Sequence, residues 1–467
     1  MTGGVIASLR AGLLPVAAAV AVAVAPLPLA AQSLTDALIA AYRNSNLLEQ
    51  NRAVLRAADE DVAVAVSGLR PVANFVASAV ATSARTQGPL GGPAQRNTDL
   101  TGTLALQAEV TVYDFGRGQL SVEAAKAAVL ATRQALVGVE QQVLFNAVAA
   151  FMDVRAAVAT VGLREANVRL ITQELRAARD RFEVGEITRT DVAIAEARLA
   201  GARSQLAAAQ GDLAVAREAY KAATGAYPGQ LRTPPSLPAL PRSLEEAQRI
   251  ARDRHPSVRQ AQHEVTAADL NVERAARAGQ GRVGATARVA VDDNRRDQSR
   301  LELSYTRPIY TGGQLPALHR QAIARRDQSR AGLHQTTVQV MQEVGGAWSN
   351  LAVSVARIQA SDQQIRAAQT AFDGVRQEAE LGARTTLDVL NAEQELLDAR
   401  ADRIAADTQR YVAVYGLLAS MGLLTVEHLN LGIPTYDPEA YFNAVRNAPS
   451  RSVQGDALDR VMRRLNP

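Results

Sequence analysis

The chain of 467 residues contains no cysteine. This absence excludes a disulfide framework, a thiolate metal site and a cysteine nucleophile. It also excludes the kind of lipid anchor that is attached to a cysteine directly after a signal peptide.

Aromatic residues are scarce as well. They make up 4% of the chain, although hydrophobic residues make up 47%. A hydrophobic fraction carried mainly by Ala, Val and Leu is typical of long helices that pack through small side chains. The net charge is only +4, and the two signs are interspersed along the chain. With no dense basic tract and few aromatic side chains for base stacking, we expect no nucleic acid partner.

Motifs for catalysis and metal binding are missing too. The five histidines show no metal-ligand spacing, and the chain has no phosphate-binding loop. The sequence therefore predicts a protein that is not an enzyme, with no catalytic residues, no metal and no cofactor. Any energy that its function needs must then come from a partner.

A long apolar run stands near the amino terminus. Residues 11–31 follow Arg10, are interrupted by three prolines and end in small residues before Gln32. This pattern predicts a secretory signal peptide over residues 1–31, cleaved after Ala31, with a retained anchor as the alternative. We expect no further run of spanning length, so a second membrane crossing would need β-strands.

The chain contains a long internal repeat. Residues 181–192, RFEVGEITRTDV, return as residues 378–389, EAELGARTTLDV, and the same offset of 197 residues relates Gly225 to Gly422. A repeat of this length predicts two tandem copies of one unit.

Each copy is expected to hold one helix, two strands, a very long helix and a return helix. The first helix is predicted over about residues 33–68 and again over 243–278. The long helices are predicted over about residues 116–183 and 314–380, where hydrophobic residues recur every seven positions. This spacing predicts antiparallel coiled-coil packing, and a soluble coiled-coil rod explains it equally well.

Four segments alternate between apolar and polar residues, which predicts β-strands. Such segments of about ten residues are typical of transmembrane strands, although a soluble sheet shows the same alternation. The four segments are residues 71–83, 100–112, 281–291 and 300–309.

The number of strands limits the assembly. Four strands leave two open edges, which lipid does not tolerate. Closure needs at least about eight strands, and a barrel of that size is filled by its own side chains. We therefore expect an oligomeric barrel with four strands from each protomer, and a trimer is the smallest version with an open bore.

These elements divide the chain into five parts. A signal peptide, the first repeat, a proline-rich linker, the second repeat and a carboxyl-terminal tail follow one another. We expect the tail to pack beside the helices or to be partly disordered. The predicted bounds are residues 1–31, 32–225, 226–242, 243–422 and 423–467.

Several features together resemble the TolC-type outer-membrane channel proteins, from the signal peptide to about Gly422. They are the duplicated unit, the Tyr-x-x-Gly junctions at Tyr113 and Tyr310, and the turns VGEITRTDV and LGARTTLDVL near residues 184–191 and 381–388. The resemblance implies a mainly α-helical protomer with a transmembrane β-barrel portion. Three protomers would form a 12-stranded barrel that continues into an α-helical coiled-coil tunnel.

The resemblance also implies a function and partners. The protein would be an exit duct in the outer membrane of a Gram-negative bacterium, spanning into the periplasm and serving type I protein secretion, multidrug efflux or both. It would act as a homotrimer in outer-membrane lipid. A periplasmic adaptor (membrane fusion) protein would dock on the hairpin tips, beside an inner-membrane ABC or proton-driven pump. The docking residues implied are Val184, Gly185, Glu186, Leu381, Gly382 and Ala383.

A periplasmic gate is implied by the same resemblance. Thr190, Asp191 and Arg384 match the gate positions. An ion pair from Arg384 to Asp191 in a neighbouring helix would hold the tip closed, and a partner could break it. The alternative is an exposed ion pair of little consequence.

The pore entrance is implied in the same way. Asp388 matches an acidic position that lines the entrance, where three copies would form a ring that favours cations. Asn391 replaces a second acidic residue and Ala379 replaces an aromatic gate residue. We therefore expect a less negative ring and a more loosely held closed state. The alternative for Asp388 is a helix N-terminal residue that the helix dipole favours.

Two other classes of protein remain open at this stage. The first is a periplasmic structural coiled-coil protein whose strands form only a small sheet. The second is an enzyme, although no catalytic site can be named for it. The exported substrate is not identified by the sequence.

Overall fold

The computed structural model describes residues 32–86, 95–293 and 297–447, so the predicted signal peptide lies outside the described residues. Most of these residues are helical, and four strands form one sheet. In chain order, the elements are α1 Leu34–Asn44, α2 Asn46–Ser67, β1 Val72–Thr86, β2 Gln95–Tyr113, α3 Arg117–Glu183, α4 Arg189–Thr224, α5 Leu244–Arg254, α6 Pro256–Ala276, a short 3-10 helix Arg277–Gln280, β3 Arg282–Asp292, β4 Asp297–Thr306, α7 Gln314–Glu380, α8 Thr386–Ser420 and α9 Pro438–Val445.

The two halves of the chain repeat the same elements. Helices α3 and α7 each have 67 residues, while α4 has 36 and α8 has 35. At about 1.5 Å per residue, the long helices are each about 100 Å long. We call α3 with α4 the first hairpin and α7 with α8 the second hairpin.

The prediction of a single helix at the start of each copy was wrong. Two helices stand there instead, and the chain is extended between them at Ser45 (ψ 109°) and His255 (ψ 128°). The Ser45 side chain accepts a hydrogen bond from the backbone N–H of Leu48, which starts α2. His255 precedes Pro256, and a residue before proline is driven out of the helical region. The proline was a visible signal of the second break.

The four strands form an antiparallel sheet in the order β1-β2-β3-β4. Pairing of β2 with β3 joins the two repeats, from Thr103 opposite Asp292 to Tyr113 opposite Val283. The first two strands are longer than predicted, because β1 and β2 keep pairing as far as Thr86 and Gln95. The fourth strand ends at Thr306, three residues before the predicted end.

The largest hydrophobic core holds the long helices together. Phe151 and Leu144 of α3 share it with Leu417 and Leu418 of α8, and all four are fully buried. By length and composition, α3 contains a stretch that is apolar enough to cross a membrane. The expectation of no such run after the amino terminus was therefore wrong. Of that stretch, 44% is buried inside the single chain.

The tail folds back on the first repeat as far as Asn447. Tyr436 and Phe442 pack against Leu55, Val62 and other apolar residues of α2 and α3. The Arg52 guanidinium lies 5.2 Å from the centre of the Tyr436 ring. Residues 448–467 lie outside the described residues.

Candidate pore wall and hairpin tips

The sheet has one apolar face, and its other face is mainly polar, with Val76 and Val80 of β1 as exceptions. Because paired residues share a face, Phe75 of β1 lies beside Leu106 of β2, and Leu106 lies beside Val289 of β3. These side chains are exposed in the single chain, Phe75 by 67%. A continuous exposed apolar face on strands of this kind is typical of a wall in contact with lipid. Its other members include Leu100, Leu104, Val291, Leu301 and Leu303.

Tyrosines mark the end of this face that adjoins the helices. A register shift between Thr111 and Tyr113 places Tyr113 opposite Val283, and Val283 is also opposite Tyr305. Both tyrosines are more than half exposed. Aromatic residues at the edges of the apolar band are usual in outer-membrane barrels. The junction at Tyr113, first noted as a strand-to-helix motif, therefore also fits a membrane boundary.

The two hairpin tips, residues 184–191 and 381–388, have the same backbone conformation. Gly185 and Gly382 adopt φ angles of 80° and 79°, which glycine reaches without strain. The N–H of Glu186 donates to the carbonyl of Arg181 at 2.9 Å, and that of Ala383 donates to Glu378 at 2.8 Å. These bonds close the last turn of each long helix.

The return helices start with matching capping boxes. Thr188 and Thr385 donate both N–H and O–H to Oδ2 of Asp191 and Asp388, and each Asp N–H donates back to the threonine oxygen. These hydrogen bonds hold the pKa of both aspartates below its usual range, so both are ionised at neutral pH. The capping bonds use Oδ2 alone, which leaves Oδ1 available to a neighbouring protomer or an ion.

Arg384 is engaged within its own hairpin. Its Nε lies 2.8 Å from Oε2 of Glu378, and both side chains are about half exposed. The predicted bond from Arg384 to Asp191 is not formed within the described part of this protomer. The bond was expected between neighbouring helices, so it stays a prediction about a contact between protomers.

Two further predicted residues are Thr190 of the gate and Asn391 of the pore entrance. Thr190 is exposed in the first turn of α4, next to Asp191. Asn391 accepts a hydrogen bond at 2.8 Å from Arg198, which ties α8 to α4. In the sequence, Asn391 was noted because it replaces an expected acidic residue. In the structure, its side-chain oxygen accepts a hydrogen bond that joins the two hairpins.

The predicted docking residues form exposed, partly apolar surfaces. Val184 is 71% exposed and Leu381 is 86% exposed, each directly before the tip glycine. A Cβ added at Gly185 or Gly382 would meet open space, so none of the described residues covers these two glycines. Glu186 and Ala383 are exposed beside them.

The prediction missed a buried carboxyl group between the hairpins. Glu393 of α8 is 4% exposed, and its Oε1 accepts a hydrogen bond from Asn167 of α3 at 2.7 Å. Its Oε2 has no hydrogen-bond partner among the residues that the structure describes, and burial raises the pKa of Glu393 to about 7. A signal was present, because Glu393 lies three residues after Leu390 and four before Leu397, at a core-facing position of the heptad.

Comparison with known proteins agrees with this geometry. The family model described as outer membrane efflux protein matches residues 38–226 and 248–423. The outer membrane efflux protein BepC of Brucella suis is 35% identical over 425 residues, covering 89% of this chain and 91% of BepC. The proteases secretion protein PrtF of Dickeya chrysanthemi is 37% identical over 106 residues, 23% of each chain.

Solved structures show the same fold. The CmeC outer membrane channel of Campylobacter jejuni superposes with a TM-score of 0.75, at 14% identity and 89% coverage of both chains. The outer membrane protein VceC of Vibrio cholerae gives a TM-score of 0.72 at 21% identity, covering 83% of this chain and 96% of VceC.

Proposed function

The chain belongs to the outer membrane efflux protein family, and from this premise we propose that it is the exit duct of a tripartite export system. It is an outer-membrane channel protein. In the proposed system, a homotrimer receives substrates from an inner-membrane pump through a periplasmic adaptor and releases them outside the cell.

The two-faced sheet carries this proposal. Its apolar face suits lipid, its polar face suits water, and its edge strands β1 and β4 each have one unpaired side in the described chain. Pairing of β4 in one protomer with β1 in the next would close three sheets into a 12-stranded barrel. A soluble structural protein would not expose an apolar face of this extent, because such a face promotes aggregation.

Efflux is the better supported of the two export roles. The relative that matches along most of the chain is named as an efflux protein, whereas PrtF, named for protease secretion, matches over less than a quarter.

Contact with the adaptor is proposed at the two tips. Val184 and Leu381 present apolar side chains beside Gly185 and Gly382, on turns with the same backbone conformation. Three protomers would offer six such surfaces, alternating between the first and second tips around the axis. Arg384, Asp191 and Thr190 would then form the gate at the narrow end, and Asp388 would line its entrance.

The experiment that tests this function is export in cells. The chain is expressed in a Gram-negative strain that lacks its own exit duct, together with a periplasmic adaptor and an inner-membrane pump. We expect heat-modifiable trimers in the outer-membrane fraction and lower intracellular accumulation of a fluorescent pump substrate. Monomers in the soluble periplasmic fraction would contradict the proposal.

A further inference from the structure

Four hydrogen-bond donors lie in one row across the polar face of the sheet. The register places Asn74 opposite Gln107, Gln107 opposite Arg288, and Arg288 opposite Arg300, with one residue from each strand. We call these four residues the donor row. The adjacent row, which begins with Phe75 and Leu106, lies on the apolar face. The donor row therefore faces the lumen of any barrel whose apolar face contacts lipid.

An acidic row lies beside the donor row on the same face. Two residues nearer to the helices, Glu109 is opposite Thr286 and Thr286 is opposite Glu302. Adjacent residues on one face are about 7 Å apart along a strand, so the rows present opposite charge at separate levels. Only one ion pair between the rows occurs among the described residues, Arg300 with Glu302 at 3.4 Å.

The arginine pair is not neutralised by this contact. Arg288 is exposed and makes no ion pair within the described residues. Like charges directly opposite each other on neighbouring strands destabilise a sheet. Arg288 and Arg300 nevertheless lie directly opposite each other on one face of the sheet, and Gln107 is the next residue in the row. A carboxylate or phosphate can accept hydrogen bonds from two guanidinium groups at once, which removes their repulsion.

We propose that the donor row is an anion-binding site on the pore wall that takes the carboxylate or phosphate groups of solutes passing through the barrel. The proposal rests on the proposed function, because only a closed barrel turns the polar face into a lumen. Threefold symmetry would then supply three copies of the Arg288–Arg300 pair around the bore.

The donor row and Asp388 differ in sign and in position along the duct. Asp388 lies at the hairpin tip, and the donor row lies in the barrel, separated from it by the length of a long helix. Solutes would therefore meet an acidic site at the entrance and a basic site near the exit. A site of this kind lowers the barrier for anionic groups at the stage where the solute leaves the periplasmic tunnel.

The test uses the purified mature trimer in a planar lipid bilayer, with inorganic tripolyphosphate as the probe added on the barrel side. We compare wild type with the double variant Arg288→Gln/Arg300→Gln. The matched control is Glu109→Gln/Glu302→Gln, which changes as many charges on the neighbouring row. Recordings are made at about 0.01 M and at 1 M salt, where the Debye length falls from about 30 Å to about 3 Å.

We expect tripolyphosphate to block the wild-type current at low salt. The half-blocking concentration should rise by about tenfold or more in the arginine variant, because two charge-assisted hydrogen bonds are lost. It should stay the same or fall in the glutamate variant, and salt should weaken the block. Equal block of wild type and the arginine variant, or no block of wild type, would overturn the proposal.

Two further measurements separate this proposal from the proposed function. If no variant conducts, calorimetric titration of tripolyphosphate into the detergent-solubilised oligomer still decides the site, since binding needs the barrel but not an open tip. If the double variant does not form trimers, Arg288→Gln alone is used, because Arg288 has no ion pair to lose in the described chain. In both cases, binding that is unchanged by the arginine substitution contradicts the anion site.

Discussion

At the scale of single residues, two glutamates at equivalent repeat positions have opposite environments. Glu196 is exposed on α4 and pairs with Arg179 at 2.6 Å. Glu393, which is related to it by the repeat, is buried between α3 and α8 and has one hydrogen bond from Asn167. The repeat thus predicts the position of a residue but not its surroundings, because within the described chain Glu393 faces α3 of the other hairpin whereas Glu196 is half exposed.

The buried carboxyl group of Glu393 should make stability depend on pH. Its pKa is about 7 in the folded chain and 4.5 in the ordinary reference state. The folded protein therefore binds more protons between these values, and its stability falls as pH rises through that window. We predict that Glu393→Gln removes this loss and stabilises the protein at pH 8 by on the order of 2 kcal/mol.

Thermal unfolding of the purified oligomer at pH 5 and pH 8 measures this effect. Glu196→Gln is the matched control, since it changes the same atoms at an exposed position. The two variants should differ at pH 8 and agree at pH 5. A wild-type pH dependence that survives in Glu393→Gln would show that another group is responsible.

Substitutions can separate the proposed gate contact of Arg384 with Asp191 from the ion pair that Arg384 makes with Glu378 in its own hairpin. The exposed ion pair of Arg384 with Glu378 is worth little by itself. If Arg384 also binds Asp191 of a neighbouring protomer, Arg384→Ala should raise the open probability at the tip by about tenfold, whereas Glu378→Gln should leave it unchanged. Single-channel recording measures both. Equal behaviour of the two variants would limit Arg384 to its own hairpin.

At the scale of elements, the tips combine a rigid backbone with exposed apolar side chains. Each turn is fixed by a positive-φ glycine and a capping box, and Val184 or Leu381 lies directly before the glycine. A surface held in one conformation loses little entropy when a partner binds. The tips are therefore suited to docking without rearrangement.

We predict that Leu381→Asp lowers export at least about tenfold while trimers form normally, because the side chain is 86% exposed and supports no core. Leu381→Met is the control, since it keeps the apolar surface. Accumulation of a fluorescent substrate gives the export rate, and heat-modifiable bands give the amount of trimer. Normal export by Leu381→Asp would place the adaptor contact elsewhere.

Periodicity predicted the long elements well and the irregular ones poorly. The heptads predicted α7 over residues 314–380, and the structure has Gln314–Glu380. The break at Ser45 escaped because buried apolar residues continue on both sides of it, and only the extended backbone of Ser45 separates α1 from α2. Helix α9 escaped because a helix of 8 residues is too short to show a period.

At the scale of the whole molecule, the protomer is incomplete by itself. Its sheet leaves an apolar face and two edges without partners in the described chain, and its tips expose apolar side chains. The sequence predicted this from the strand count. It could not predict the alignment of Asn74, Gln107, Arg288 and Arg300, since register depends on pairing across the repeats and not on either strand alone.

Single-channel conductance of the purified mature trimer, wild type beside Asp388→Asn, tests whether the assembled chain is a duct with an acidic entrance. Asparagine is chosen because Asp388 also caps α8, and an amide oxygen keeps an acceptor for Thr385. We predict a small cation-selective conductance in wild type and a loss of cation selectivity in the variant. A folded trimer that conducts neither as wild type nor as Arg384→Ala would contradict the channel, and selectivity unchanged by Asp388→Asn would contradict the entrance.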